Sequence, residues 1–193
     1  DATTDGIWSW DFIKDELSFS PRYYQMLGYK PFEFEATFDK WINLIKPEDR
    51  ESAIHIAEEW LKTKPDNYEN EYRMICKDGS YRWIKAIAKV VEREANGEAL
   101  KLIGSHEDIT YRKTAEKALQ SERDFAQSLI NTAQTIILTL SPEGLIENFN
   151  PYLEEITGYS AEEVIGKDWF ETFLPEGDIA EIKKMFKGYS TLI

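Results

Sequence analysis

The sequence has 193 residues, room for one ordinary domain and most of a second, since soluble domains run to about 100–150 residues. Hydrophobic residues make up 42% and aromatics 13%, enough to pack cores and incompatible with a disordered chain. A formal charge of −13 opposes binding to nucleic-acid phosphates or anionic membrane, and the single cysteine, Cys76, excludes an internal disulfide and cannot alone build a structural zinc site.

In chain order, Gly6–Asp11 and Leu17–Phe19 alternate around Ile13-Lys14-Asp15-Glu16 and predict a β-hairpin. Short helices follow, with Ser20 as N-cap, Pro21 at the first helical position and Gly28 as the stop. Pro47-Glu48-Asp49-Arg50 opens a stronger helix expected to reach about Lys64, where Pro65-Asp66-Asn67 breaks it. Three strands are expected next: Tyr68–Cys76, Tyr81–Glu92 and Ala99–Asp108. They are joined by Lys77-Asp78-Gly79-Ser80 and by a turn at Asn96-Gly97. The order β-β-α-α-β-β-β predicts an α+β domain over residues 1–110, a five-stranded antiparallel sheet with helices on one face.

Residues 111–131 lack Gly and Pro. Ala115, Ala118, Glu122, Phe125 and Leu129 fall at the alternating three-four spacing of a coiled-coil seam. Two readings carry equal weight here: pairing with a second copy, or an amphipathic helix lying on its own domain.

The chain then repeats itself. Phe19-Ser20-Pro21 and Gly28-Tyr29 recur 130 residues later as Phe149-Asn150-Pro151 and Gly158-Tyr159, while Trp41 and Pro47-Glu48 recur 128 residues later as Trp169 and Pro175-Glu176. Residues 132–193 therefore read as the N-terminal part of a second copy, with a hairpin (Thr135–Leu140, Leu145–Phe149 around Pro142-Glu143-Gly144) and helices through Lys187. A start at Asp1 without methionine and an end at Ile193 lead us to expect a piece of a longer protein. A second copy without its last three strands is expected to expose apolar sheet edge. No run approaches the roughly 20 apolar residues of a membrane span, so a cytoplasmic setting is expected, with membrane anchoring of the parent left open.

The stretch Lys77-Asp78-Gly79-Ser80-Tyr81-Arg82-Trp83, together with Leu102-Ile103-Gly104-Ser105-His106-Glu107-Asp108-Ile109-Thr110-Tyr111-Arg112-Lys113, resembles the PAS domain with its C-terminal PAC motif. Pro47-Glu48-Asp49-Arg50 fits the same pattern, and Asn150-Pro151 through Glu163 resembles a second PAS opening. The resemblance covers nearly the whole chain. It implies a cupped sheet closed by helices that senses a small molecule, cofactor or redox state, or holds a dimer together, with output passing through the helix that begins at Asp108-Ile109-Thr110.

Four groups of residues bear on chemistry. Some PAS domains ligate haem through a histidine on the helix after the Pro-Glu motif. Here helical spacing puts Ala53, Ile54, Ile56, Ala57, Trp60 and Leu61 on one apolar face and His55 opposite, among Glu51, Glu58, Glu59 and Lys62, which argues for a solvated histidine. Alternation puts Leu102, Gly104 and His106 on one face. Similarity to the flavin-binding light-sensing branch implies that His106 stands where that branch has its flavin-contacting glutamine, with Met74, Ile84, Ala86 and Ala88 also pointing inward. A cavity beside Ala86 and Ala88, with His106 as its one titratable group, competes with the simpler reading of a histidine bonded to backbone in a filled core. Trp8, Trp10, Phe19, Tyr23, Tyr24 and Trp41 are expected to pack a core before they cage a ligand. Flavin-adduct photochemistry needs a cysteine on the helical side of the pocket. The first copy has none, and Cys76 reads as a half-buried hydrophobe with no second thiol to resolve it.

The expectation is a sensory input module of a histidine kinase. It binds a small ligand at Met74, Ile84, Ala86, Ala88, Leu102 and His106 and relays its state through Asp108, Ile109 and Thr110. Its partners are a second copy of the chain and an output domain in the same parent chain. The rivals are a ligand-free dimerisation module and the input domain of a diguanylate cyclase. No residue set specifies a cofactor, a metal or a catalytic site.

Overall fold

The computed structural model of the chain describes residues 5–63 and 67–190, with backbone alone at 188–190. Lys64, Pro65 and Asp66, where the long helix was expected to end, lie outside the described residues. The chain divides into two compact units, Asp1–Lys117 and Ala118–Ile193.

The first unit contains β1 (Gly6–Asp11), β2 (Glu16–Phe19), α1 (Pro21–Met26), α2 (Phe38–Leu44), α3 (Pro47–Thr63), β3 (Asn67–Ile75), β4 (Tyr81–Arg93) and β5 (Ala99–Asp108). The strands form one antiparallel sheet in the order β2-β1-β5-β4-β3. This is the expected α+β architecture. The hairpin turns form where the residues tolerate left-handed backbone: Gly79 has φ +83 and Gly97 φ +85.

Local chemistry sets the helix starts. Thr37 caps α2, its hydroxyl accepting from Lys40 N at 3.1 Å. Asp49, in the first turn of α3, accepts two bonds from the Arg73 guanidinium at 2.8 and 2.5 Å and one from Arg73 N at 3.0 Å, which ties α3 to β3. Those bonds hold the Asp49 carboxyl below its ordinary pKa, burial opposing them.

Alternation then selects the buried face. Leu102, Gly104 and His106 are buried on β5, Ile84, Ala86 and Ala88 on β4, and Tyr68, Tyr72 and Met74 on β3. Two glycines permit close approach on this face. A Cβ at Gly6 would lie 2.7 Å from Tyr23 Cα on α1, and one at Gly104 would lie 2.5 Å from the Trp8 indole and from the Ile87 carbonyl oxygen. The face of α3 is narrower than periodicity predicts. Ala53 and Trp60 are buried and Ala57 packs against the core, but Ile56 is exposed, because the inward stripe follows 53, 57 and 60.

From Thr110 a long helix, α4 (Thr110–Thr132), crosses the division between the units, and none of its residues is buried.

The second unit contains β6 (Leu138–Leu140), β7 (Ile146–Phe149), α5 (Pro151–Thr157), α6 (Ala161–Val164), α7 (Trp169–Phe173) and α8 (Glu176–Ser190), around Ile146, Phe149, Leu153, Val164 and Phe170. Its local chemistry repeats that of the first. Ser20 Oγ accepts from Ile7 N, and Asn150 Oδ1, 130 residues on, accepts from Ile137 N. Glu33 accepts from Lys30 N as Glu163 does from Ser160 N. The strand expected from Thr135 begins only at Leu138. The side-chain amide of Asn150 bonds Thr135 O and Ile137 N, taking hydrogen bonds that a longer ladder would use.

Candidate functional site

Between the sheet and the helices of the first unit lies a cavity of about 140 Å³. Trp8 and Trp10 of β1, Phe38 and Trp41 of α2, and Tyr23 of α1 contribute aromatic walls, and α3 closes it with Ile54, Ala57, Trp60 and Leu61. The floor includes Ala86, Leu102 and His106, three of the six residues singled out from sequence. The other three, Met74, Ile84 and Ala88, are buried but do not line it. Met74 pairs with Ile45 in an isolated bridge, and Ile84 stands opposite Asp108, which lies beyond His106 on β5 and does not line the cavity.

The aromatics expected to pack do so and also wall the cavity. Phe19 and Tyr23 stack at 4.0 Å between centroids, Trp10 stacks on Phe38 at 5.3 Å, and all four line the space, whereas Tyr24 does not. Sequence reasoning missed Tyr72, Trp60 and Glu58. Tyr72 stands two residues before Met74 on the inward side of β3, so alternation alone finds it. Glu58, placed opposite the apolar stripe by helical spacing, is exposed yet lines the space with Ile54 and Leu61.

His106 is 2% exposed and belongs to a chain of side-chain bonds. Trp41 Nε1 donates to the Tyr72 hydroxyl at 3.0 Å, and that hydroxyl lies 3.0 Å from His106 Nε2. The histidine is thus bonded to a side chain, and it is not the cavity's one titratable group, as Tyr72, Tyr23, Tyr68 and Glu58 also line it. Burial alone pushes the His106 pKa down to about 3, so the ring is neutral. Burial drives the hydroxyls of Tyr23 and Tyr72 upward, so they too stay neutral. Among the described residues, Trp8 Nε1, Tyr23 Oη and His106 Nδ1 are buried and find no hydrogen-bond partner.

Neither haem nor flavin fits this arrangement. The volume is well under the about 300 Å³ at which ligand pockets begin. His55 is on the exposed face of α3, 3.9 Å from Glu59, and His106 Nε2 already faces Tyr72. Cys76 is buried beyond the end of β3, more deeply than expected, and does not line the cavity.

Two residues beyond His106, the same strand launches α4. Asp108 accepts from Thr110 N at 3.0 Å and pairs with Arg82 at 2.6 Å. Burial pushes its carboxyl up, but the bonds from Thr110 and Arg82 outweigh that and hold it below its ordinary pKa. Thr110 Oγ1 accepts from Trp83 N at 2.9 Å, and Ile109 N donates to Trp83 O at 2.9 Å. Glu71 on β3 takes Arg112 at 2.7 Å and Lys113 at 2.6 Å, a pair of contacts sequence reasoning missed because nothing local links residues 41 positions apart.

Comparison with known proteins accords with the fold. The PAS fold family matches residues 16–106 and a PAS domain family matches residues 134–190. Sensor protein FixL of Bradyrhizobium diazoefficiens is 25% identical over 96% of this chain and 36% of its own length. A blue-light-activated histidine kinase of Brucella anthropi is 28% identical over 89% of this chain and 35% of its own. The chain thus spans about a third of the length of these relatives. Among solved structures, a sensory box histidine kinase/response regulator from Burkholderia thailandensis matches with TM-score 0.56 and 27% identity, over 65% of this chain and 92% of that one. The N-terminal domain of a diguanylate cyclase with PAS/PAC sensor from Marinobacter aquaeolei matches at 0.50 and 25%, over 56% and 98%. With both copies of the repeat matched, the chain belongs to the PAS family and carries two PAS segments in tandem, the second shorter than the first.

Proposed function

We propose that the chain is a sensory input module of a cytoplasmic two-component histidine kinase, in which a small molecule in the cavity of the first unit biases the start of α4. The observation that carries this reading is the continuity of β5: His106 lies in the cavity floor, and Asp108, the next residue on that side of the strand, bonds the first amide of α4. A ligand that shifts the floor acts on the cap through two residues of strand. Such a ligand must bind two states of the Asp108-Ile109-Thr110 junction with different affinity. The kinase assignment is supported by the likeness to the histidine kinases of Brucella and Burkholderia, and it places an output domain in the same parent chain. The Marinobacter likeness favours a diguanylate cyclase as the alternative output. The exposed seam of α4 supports pairing with a second copy over packing on its own domain.

Amide exchange tests the relay. Ligand binding is expected to change exchange at residues 110–117 while leaving β3 unchanged; binding with identical α4 exchange refutes it. The output is read from the parent chain beyond Ile193, where a phosphoacceptor-histidine helix is expected.

A further inference from the structure

The walls of the cavity narrow the chemistry of its occupant, on the premise that the first unit is a sensor. The polar atoms of those walls are bonded to protein or turned away from the space. Trp41 Nε1, the Tyr72 hydroxyl and His106 Nε2 bond one another, the Tyr68 hydroxyl accepts from Asn70, and Trp8 Nε1, Tyr23 Oη and His106 Nδ1 are sealed in the packing. The surface that faces the space is therefore apolar throughout. A hydroxyl, carbonyl or amine carried in by a guest would leave water and meet no partner, which costs more than an ordinary hydrogen bond contributes.

Charge is disfavoured on the same ground. Among the described residues Glu58 is the wall's one carboxylate, and no lysine or arginine joins it. Glu58 is exposed and pairs with Lys62 at 3.8 Å, so it offers no counter-charge to an ion inside. Aromatic faces attract a quaternary ammonium, but a cation enclosed here would give up its hydration for those faces alone. Size points to a small guest. At about 140 Å³ the space is close to the roughly 150 Å³ apolar cavity that stays dry and admits benzene. Two wall positions, Ala86 on β4 and Ala57 on α3, carry only a methyl group, which leaves room that the surrounding rings do not fill.

We propose that this cavity takes a small uncharged hydrocarbon of about toluene's size and rejects molecules of the same size that carry a polar or charged group. Toluene and phenol differ by a methyl exchanged for a hydroxyl, so they separate the cases by calorimetry on the whole chain, with benzoate and tetramethylammonium as charged probes. One toluene per chain is expected, bound at least about tenfold tighter than phenol, and the two ions are not expected to bind at the same concentrations. Ala86→Leu, or Ala57→Leu if the first does not fold, fills the space and is expected to weaken toluene binding at least about tenfold, with the cooperative unfolding transition retained. Phenol bound as tightly as toluene, tighter binding of either ion, no toluene binding, or binding undiminished in the folded leucine variant overturns the proposal. Calorimetry is blind to α4, so the two readings fail separately. Toluene binding with unchanged α4 exchange refutes the sensor and leaves the ligand class standing, whereas an α4 response to phenol or an ion without toluene binding does the reverse.

Discussion

Tyr72 is the residue on which the polar interior of the first unit turns, because its hydroxyl is the only partner that both Trp41 Nε1 and His106 Nε2 have among the described residues. Tyr72→Phe removes one oxygen and strands two buried polar groups, so a loss of about 1–3 kcal/mol in urea denaturation is expected; a change within about 0.5 kcal/mol would show that the chain is not structural. His106 adds a pH dependence whose sign is fixed by its burial. The unfolded ring takes up a proton near pH 6.5, and the folded ring does so only at about 3. Between those values the unfolded chain binds more protons, so the contribution is fully present above pH 6.5 and is lost as pH falls toward 3, by about 1.4 kcal/mol per pH unit. Among the described residues no carboxylate is bonded to His106 to offset this. His106→Phe should flatten that slope, measured as urea midpoints from pH 7 to 5. Gly104 matters for another reason: a methyl there meets the Ile87 carbonyl and the Trp8 indole at 2.5 Å, and a backbone oxygen cannot swing aside. Gly104→Ala is expected to cost about 1–3 kcal/mol and to change Trp8 fluorescence.

The first turn of α4 is fastened to the sheet by Asp108, Thr110 and Glu71, and these fastenings are unequal. Glu71 and its partners Arg112 and Lys113 all keep contact with solvent, so Glu71→Ala is expected to lower global stability by under about 1 kcal/mol while measurably speeding amide exchange at Arg112 through Lys117. Thr110→Val, which strips the acceptor from Trp83 N, should do more at the same amides; equal exchange in both variants would remove the junction from the relay. Elements of this kind were unevenly legible in the sequence. The strands announced themselves through alternation bounded by Gly79 and Gly97, because both signals are local. The start of β6 did not, because Asn150, a dozen residues away, takes the bonds of Thr135 and Ile137. The inward side of β5 was readable from alternation at Leu102 and His106. The cavity itself was not, since cross-strand register puts Ala86 beside His106 and leaves Ile84 beside Asp108, and tertiary packing brings Trp60 and Tyr72 to the same space.

At the scale of the molecule, α4 carries an apolar stripe that its own chain leaves uncovered. Phe125 is 65% and Leu129 55% exposed, and both stand on the three-four seam with Ala115, Ala118 and Glu122. Burying two such side chains against a second copy is worth about 1.5–3 kcal/mol each, which favours a dimer, while two Glu122 carboxylates brought together at one seam position oppose it. The chain's net charge of −13 adds a repulsion that salt screens. The balance predicts a weak, concentration-dependent dimer that tightens with ionic strength. Glu122→Leu removes the carboxylate pair and adds apolar area, so its dissociation constant by sedimentation equilibrium should fall at least about tenfold, the equivalent of 1.4 kcal/mol. Phe125→Glu should leave a monomer. A chain that sediments as a monomer at every concentration, with Glu122→Leu no different, would separate α4 from dimerisation and make it a relay within a single chain.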